Sequence, residues 1–87
     1  MKIKSGYIMR EVAGSHVVVP IGESALDFSG MITLNDTGAF LWKQLEKDKT
    51  EKELISDLLA EYDTDKITAE VHISEFCLSL KAADLFE

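Results

Sequence analysis

Residues 30–42, GMITLNDTGAFLW, pass from a strand pattern to a helix pattern with almost no loop between them. Residues 28–34 are predicted to form a strand, whose alternation places Phe28, Gly30, Ile32 and Leu34 on one face and Ser29, Met31 and Thr33 on the other. A helical period follows in Gly38, Leu41, Trp42 and Leu45. Asn35 is the predicted N-cap of this helix, because its side-chain oxygen can accept a hydrogen bond from the amide of residue 37 or 38.

Two more strands are predicted upstream of this stretch. YIMREV (residues 7–12) and HVVVPI (residues 16–21) are rich in β-branched residues, and the short connection AGS between them is typical of a hairpin. Residues 22–27 read as a loop. Together with residues 28–34, the pattern predicts a three-stranded antiparallel sheet in the first third of the chain.

Two more helices are predicted downstream. Residues 51–62 form an amphipathic helix, and Thr50 with Glu53 fits a capping box at its start. Residues 66–83 form the third helix, with Asp65 or Thr64 as its N-cap. Three strands followed by three helices predict an α+β, winged-helix-like fold in which Gly38 marks a close approach of the first helix to a neighbouring element.

The third helix has two apolar stripes on opposite sides. At about 100° per residue, one stripe contains Ile67, Val71, Leu78 and Ala82, with Leu85 if the helix continues, and the other contains Ala69, Ile73, Phe76, Leu80 and Ala83. One interpretation is that the first two helices cover one stripe and the sheet covers the other. The alternative is that one stripe lines a groove for a partner, since a surface helix of a small domain usually needs one apolar face.

Composition and charge narrow the possible functions. The 87 residues suffice for one domain with a modest core, and the formal net charge is −7. Residues 1–34 are electrically balanced, whereas residues 35–87 carry six basic and thirteen acidic side chains. An acidic surface disfavours nucleic-acid binding, which needs Lys and Arg on phosphates, and is compatible with a basic peptide or protein partner.

No catalytic, metal or membrane motif is apparent in the sequence. Cys77 is the single cysteine, so no internal disulfide is possible, and His72 lies on a different side of the same predicted helix. The glycines form no phosphate-binding loop, and no apolar run approaches the roughly 20 residues of a membrane span. We therefore expect a cytoplasmic binding module that is not an enzyme and needs no cofactor or metal.

Four segments of the sequence resemble one known family. VVVPIGE, FSGMITLNDTGAFLWKQL, KTEKELISDLLAEYD and AEVHISEFCLSLKAADL are similar to the pyrroloquinoline quinone biosynthesis protein D family, also called the RiPP recognition element, and the most specific part is LNDTG followed by Trp42. The resemblance implies one peptide-recognition domain over residues 1–87, with three strands followed by three helices. It also implies a non-catalytic protein that binds the leader of a ribosomally made precursor peptide and presents it to a modifying enzyme, often a radical S-adenosylmethionine enzyme.

The resemblance also implies a binding site. The leader would add as an antiparallel strand to the third strand and pack against the third helix. The predicted peptide-binding residues are Phe28, Ser29, Gly30, Met31, Ile32, Thr33, Leu34, Ile67, Val71, Ser74 and Leu78. One departure from the family pattern is Asp84, where the family often has Gly near the end of the third helix, and a looser helix end is expected there.

Two other functions remain open from the sequence alone. A winged-helix fold could bind DNA. The third helix disfavours this, because its basic residues Lys66 and Lys81 are offset by the acidic residues Glu70 and Glu75. The chain could also be a structural subunit of a larger enzyme. The exposed edge strand allows a homodimer as well.

Overall fold

The computed structural model of the chain describes residues 1–22 and 32–87. Its elements are the strands β1 (Tyr7–Val12), β2 (Ser15–Pro20) and β3 (Ile32–Leu34) and the helices α1 (Asp36–Leu45), α2 (Glu51–Glu61) and α3 (Lys66–Ala82). The strands form an antiparallel sheet in the order β1-β2-β3. The predicted α+β arrangement of three strands followed by three helices is confirmed. Residues 28–31 of the predicted third strand, and the predicted loop beyond Gly22, lie outside the described residues.

The register of the sheet decides which side chains of β3 face the core. Val18 at the centre of β2 pairs with Met9 of β1 and with Ile32 of β3, and it is fully buried. Ile32 and Leu34 share the face of Val18 and pack on the core, whereas Thr33 is exposed. The alternation read from the sequence therefore holds for the described part of β3.

Local hydrogen bonds fix the start of each helix. The Asn35 side chain accepts from the Gly38 amide at 2.8 Å, and Thr50 and Glu53 form the predicted capping box. Asp65, rather than Thr64, caps α3 by accepting from the Thr68 amide at 2.7 Å, and this hydrogen bond lowers the pKa of the Asp65 carboxyl. Because each cap satisfies backbone donors that would otherwise be unpaired, all three helices begin where the sequence predicted.

The core lies between the sheet and the three helices. Its largest fully buried side chains are Trp42, Leu41, Leu45, Leu54, Leu58, Ile73, Leu80, Leu85 and Val18. One stripe of α3 supplies Ala69, Ile73 and Leu80 to this core. The ring of Phe40 meets that of Tyr62 edge-on, with centroids 5.6 Å apart, and so joins α1 to the end of α2.

The chain after Ala82 does not continue the helical rotation of α3. Ala83 is the C-cap and Asp84 is left-handed, with φ of 57°. The amides of Asp84 and Leu85 donate to the carbonyls of Lys81 and Leu80, both at 3.0 Å, which is a Schellman motif. Leu85 is consequently turned into the core and is fully buried, and because the helix ends before it, Leu85 does not join the stripe of Ile67.

Asp84→Gly is expected to stabilise the protein by about 0.5–1 kcal/mol, because glycine adopts a positive φ without the Cβ clash. The substitution also removes the ion pair between the Lys4 ammonium and the Asp84 carboxylate. Because the Asp84 side chain is exposed, this ion pair contributes little to stability, and the gain outweighs its loss. Urea unfolding followed by the fluorescence of Trp42, the only tryptophan, measures the difference. Asp84→Ala, which loses the ion pair and keeps a Cβ, should be less stable than the natural chain. A midpoint for Asp84→Gly below the natural one would contradict the argument.

The β1–β2 hairpin provides a second stability test. Its turn has two residues rather than the predicted three, since Val12 pairs with Ser15, and Ala13 and Gly14 have φ of 52° and 81°. These angles are those of a type I′ turn, where asparagine is favoured at the first position. Ala13→Asn is therefore expected to raise the free energy of unfolding by about 0.5–1 kcal/mol, because Asn tolerates the left-handed region better than Ala. Ala13→Val places a β-branched side chain at this position and should lower the thermal midpoint. Equal thermal midpoints for Ala13→Asn and Ala13→Val would refute the assignment of a type I′ turn.

Candidate functional site

One edge of the sheet is formed by β3. β3 pairs with β2 on one side, and no strand among residues 1–22 and 32–87 pairs with its other edge. An unpaired edge offers backbone N–H and C=O groups in a row with strand spacing. The edge of β3 is thus able to accept one more strand.

A groove lies between β3, the start of α1 and α3, and we call it the β3–α3 groove. It consists of two adjoining cavities of about 240 and 210 Å³ that share Asn35, Gly38, Phe76 and Ser79. The first runs along β3 and is also lined by Ile32, Thr33, Leu34 and Leu80. The second extends along α3 and is also lined by Thr37, Leu41, His72 and Glu75. The groove therefore has an apolar part beside the sheet and a more polar part beside the helix.

Gly38 sets how closely α1 approaches α3 in this groove. A Cβ at this position would lie 3.3 Å from Cε1 of Phe76 and 3.2 Å from Oδ1 of Asn35. Both distances are tighter than ordinary van der Waals contact, so a larger residue would push the Phe76 ring or the capping side chain. The close approach predicted at Gly38 is thus to Phe76 of α3, with Cβ of Leu34 in β3 at 3.5 Å.

The other apolar stripe of α3 is exposed. Ile67, Val71 and Leu78 are 75%, 50% and 65% exposed, so the interpretation that both stripes are covered is wrong. At about 100° per residue, Leu78 lies about 100° around the helix from Ser79 in the groove, and Glu75 lies between them. The stripe therefore adjoins the groove on its outer side, and together they form one continuous face of α3.

The predicted site residues fall into three sets. Ile32, Thr33 and Leu34 line the β3–α3 groove. Ile67, Val71, Ser74 and Leu78 lie on the exposed side of α3, where Ser74 and Leu78 border a separate cavity of about 250 Å³ with Met1, Glu51, Cys77 and Lys81. Phe28, Ser29, Gly30 and Met31 lie outside the described residues.

Sequence reasoning missed several residues that line the groove. Phe76 was assigned to the core stripe, but it is only partly buried and contributes to both the core and the groove. Asn35, Ser79, His72 and Glu75 also line the groove and are not among the predicted site residues. The available signal was Gly38, since a glycine inside a helix indicates that another side chain lies against it.

A larger cavity, of about 400 Å³, lies at the start of β1 and shares no residue with the groove. It is lined by Lys2, Ile3, Lys4, Ser5, Tyr7, Ile8, Met9, Trp42, Glu46 and Glu87. Its charged residues include two lysines and two glutamates, so it favours neither sign of charge. It lies beside β1, the other outer strand of the sheet, and not beside β3.

Burial and spacing in the fold determine the chemistry open to the cysteine and to the metal-ligating side chain types. Cys77 is 7% exposed, and burial raises the pKa of its thiol, which keeps it protonated and unreactive at neutral pH. No cluster of three His, Cys, Asp or Glu side chains in residues 1–22 and 32–87 could hold a metal ion. None of the helices in these ranges is both long and apolar enough to cross a membrane.

Fold and site together define a small α+β domain in which an open sheet edge and one face of a helix flank a groove. The chain belongs to the PqqD family, since the sequence profile described as "Coenzyme PQQ synthesis protein D (PqqD)" matches residues 15–85. The resemblance noted from the sequence is thereby confirmed. No curated protein matches the chain.

Two solved structures share the fold. "TbiB1 in Complex with the TbiA(beta) Leader Peptide" is 24% identical, with a TM-score of 0.76 over 100% of this chain and 95% of that one. "Lasso peptide synthetase B1 complexed with the leader peptide" is 19% identical, with a TM-score of 0.72 over 97% of this chain and 93% of that one.

Proposed function

We propose that this protein binds the leader segment of a ribosomally synthesised precursor peptide and presents it to a modifying enzyme, without being a catalyst itself. The observation that carries the proposal is the open edge of β3 beside the β3–α3 groove. Membership of the PqqD family supports it, and both structural neighbours are complexes with leader peptides. Ribosomal precursors are made in the cytoplasm, which is where the protein would act.

The leader would bind by strand addition. An antiparallel strand added to β3 would lie about 4.8 Å beyond it, so that backbone hydrogen bonds to β3 supply affinity for any extended peptide. Alternate leader side chains would enter the groove against Phe76 and Ser79. The predicted contacts at Phe28, Ser29, Gly30 and Met31 would lengthen the docking edge.

The exposed stripe of α3 would form the outer side of the site. Ile67, Val71 and Leu78 present large apolar side chains to solvent, and contiguous exposed apolar surface marks interaction sites more often than free surface. A leader strand beside β3 would cover this stripe and Ser74 with side chains that project toward α3. In this proposal the same peptide contacts the groove and the stripe.

The partner enzyme would be one that modifies peptides, and the family resemblance makes a radical S-adenosylmethionine enzyme a candidate. A protein that only holds the leader needs no active site of its own, because it raises the effective concentration of the precursor at the enzyme. The alternative of DNA binding gains no support from α3, whose exposed stripe is apolar where a recognition helix needs basic and amide side chains.

An amide chemical-shift titration tests the proposal. The probes are synthetic leaders of the precursor peptides encoded next to the gene, added to the ¹⁵N-labelled chain with and without the neighbouring modifying enzyme. Shifts are expected in Ile32–Leu34, in Phe76 and Ser79, and in Val71 and Leu78, whereas the β1–β2 turn at Ala13 and Gly14 should not move. A well-folded sample whose spectrum none of these leaders changes would overturn the proposed function.

A further inference from the structure

The residues of α3 that line the β3–α3 groove carry one formal charge. They are His72, Glu75, Phe76, Ser79 and Leu80. At about 100° per residue, Glu75 lies on the side of this set that is nearest to the exposed stripe. Among the described residues, a peptide between β3 and α3 would therefore meet apolar and small polar side chains, one imidazole and a single carboxylate.

The Glu75 carboxylate has no ion-pair partner in the described part of the chain. Lys66 on the same helix pairs with Glu70, which lies on another side of α3. Lys81 lies about 120° around α3 from Glu75, too far around the helix to face it. The negative charge at Glu75 is consequently available to a ligand.

The start of α1 does not reverse the sign of this site. A helix N-terminus carries partial positive charge and favours anions. Here, however, the Asn35 side chain already accepts the Gly38 N–H, and the Asp36 carboxylate occupies the first turn. Nε2 of His16 lies 3.7 Å from Oδ1 of Asp36, and none of the described residues that line the two cavities of the groove is a lysine or an arginine.

We propose that the leader recognised by this protein carries a lysine or arginine that pairs with Glu75, together with an aliphatic or aromatic residue that fills the apolar part of the groove. This rests on the proposed leader-binding function. Both parts of the groove lie on the α3 side of the added strand. In a strand, every second side chain points to the same side. The residue numbers of the basic and the apolar residue in the leader should therefore differ by an even number. The net charge of −7 adds long-range attraction for such a peptide.

A random twelve-residue display library tests this without knowledge of the natural precursor. It is selected in parallel on the natural chain, on Glu75→Gln and on Glu70→Gln, a matched control that removes the same charge from another side of α3. In the peptides selected on the natural chain and on Glu70→Gln, Lys and Arg should be enriched at one fixed, even spacing from an apolar residue of the peptide. On Glu75→Gln the basic preference should vanish while the apolar preference remains.

One selected peptide, made synthetically, then gives the affinities. Glu75→Gln should weaken its binding about two- to fivefold at low salt, and the difference should shrink at high salt, because an exposed ion pair is screened. Amide shifts would show whether the selected peptides bind at β3. If they bind there but show no preference for a basic residue, or prefer an acidic one, the inference is overturned and leader binding stays intact. Failure to select any peptide that shifts β3 would overturn both.

Discussion

The double variant Val71→Gln and Leu78→Gln is expected to bind a precursor leader at least about tenfold more weakly than the natural chain, with almost unchanged stability. Each burial of a methylene group contributes about 0.8 kcal/mol, so two aliphatic side chains covered by the leader readily account for the 1.4 kcal/mol of a tenfold change. Both residues are half or more exposed, and glutamine is a good helix former. The free energy of unfolding should therefore change by less than about 1 kcal/mol.

Calorimetric titration with the leader measures this change, and Val12→Gln is the matched control. Val12 is 55% exposed but lies at the turn end of β1, away from β3 and α3. Its substitution removes a comparable exposed apolar side chain and should leave the affinity unchanged. If the double variant binds as tightly as the natural chain, the stripe is not part of the site, and the predicted contacts at Ile67, Val71, Ser74 and Leu78 are wrong.

The helix starts could be predicted because they depend on residues three apart. Asn35 with Gly38, Thr50 with Glu53 and Asp65 with Thr68 are each set by the local chain, so the sequence contains all the information needed. The alternation of Ile32, Thr33 and Leu34 is equally local. The order and type of the elements followed from these short-range signals.

The faces of α3 could be predicted only in part. Periodicity showed two apolar stripes, but which stripe is covered depends on where α1, α2 and the sheet pack, and that is long-range information. The same limit applies to Phe76, whose ring lies against Gly38, a residue 38 positions earlier in the chain. Leu85 lies off the stripe for a local reason, because the helix ends and Asp84 adopts a left-handed conformation.

Trp42→Ala is expected to have the largest effect on stability, a loss of about 3–5 kcal/mol. Trp42 is 1% exposed and is the largest fully buried side chain, so its removal leaves a cavity that the surrounding leucines fill only partly. A domain of this size typically has about 5–10 kcal/mol of stability in total. Urea unfolding followed by far-ultraviolet circular dichroism measures the change, because this variant has no tryptophan fluorescence. Trp42→Phe, which keeps an apolar ring, should lose less than half as much.

The same substitution should also impair leader binding, even under conditions where the variant stays folded. Trp42 lies one helical turn after Gly38, and it belongs to the buried cluster against which Phe76 packs. Binding measured at low temperature with a stabilising osmolyte should therefore be weaker for Trp42→Ala than for Val12→Ala, whose side chain is 55% exposed and lies outside the proposed site. A folded Trp42→Ala protein with natural affinity would show that the groove keeps its shape without the core beneath α1.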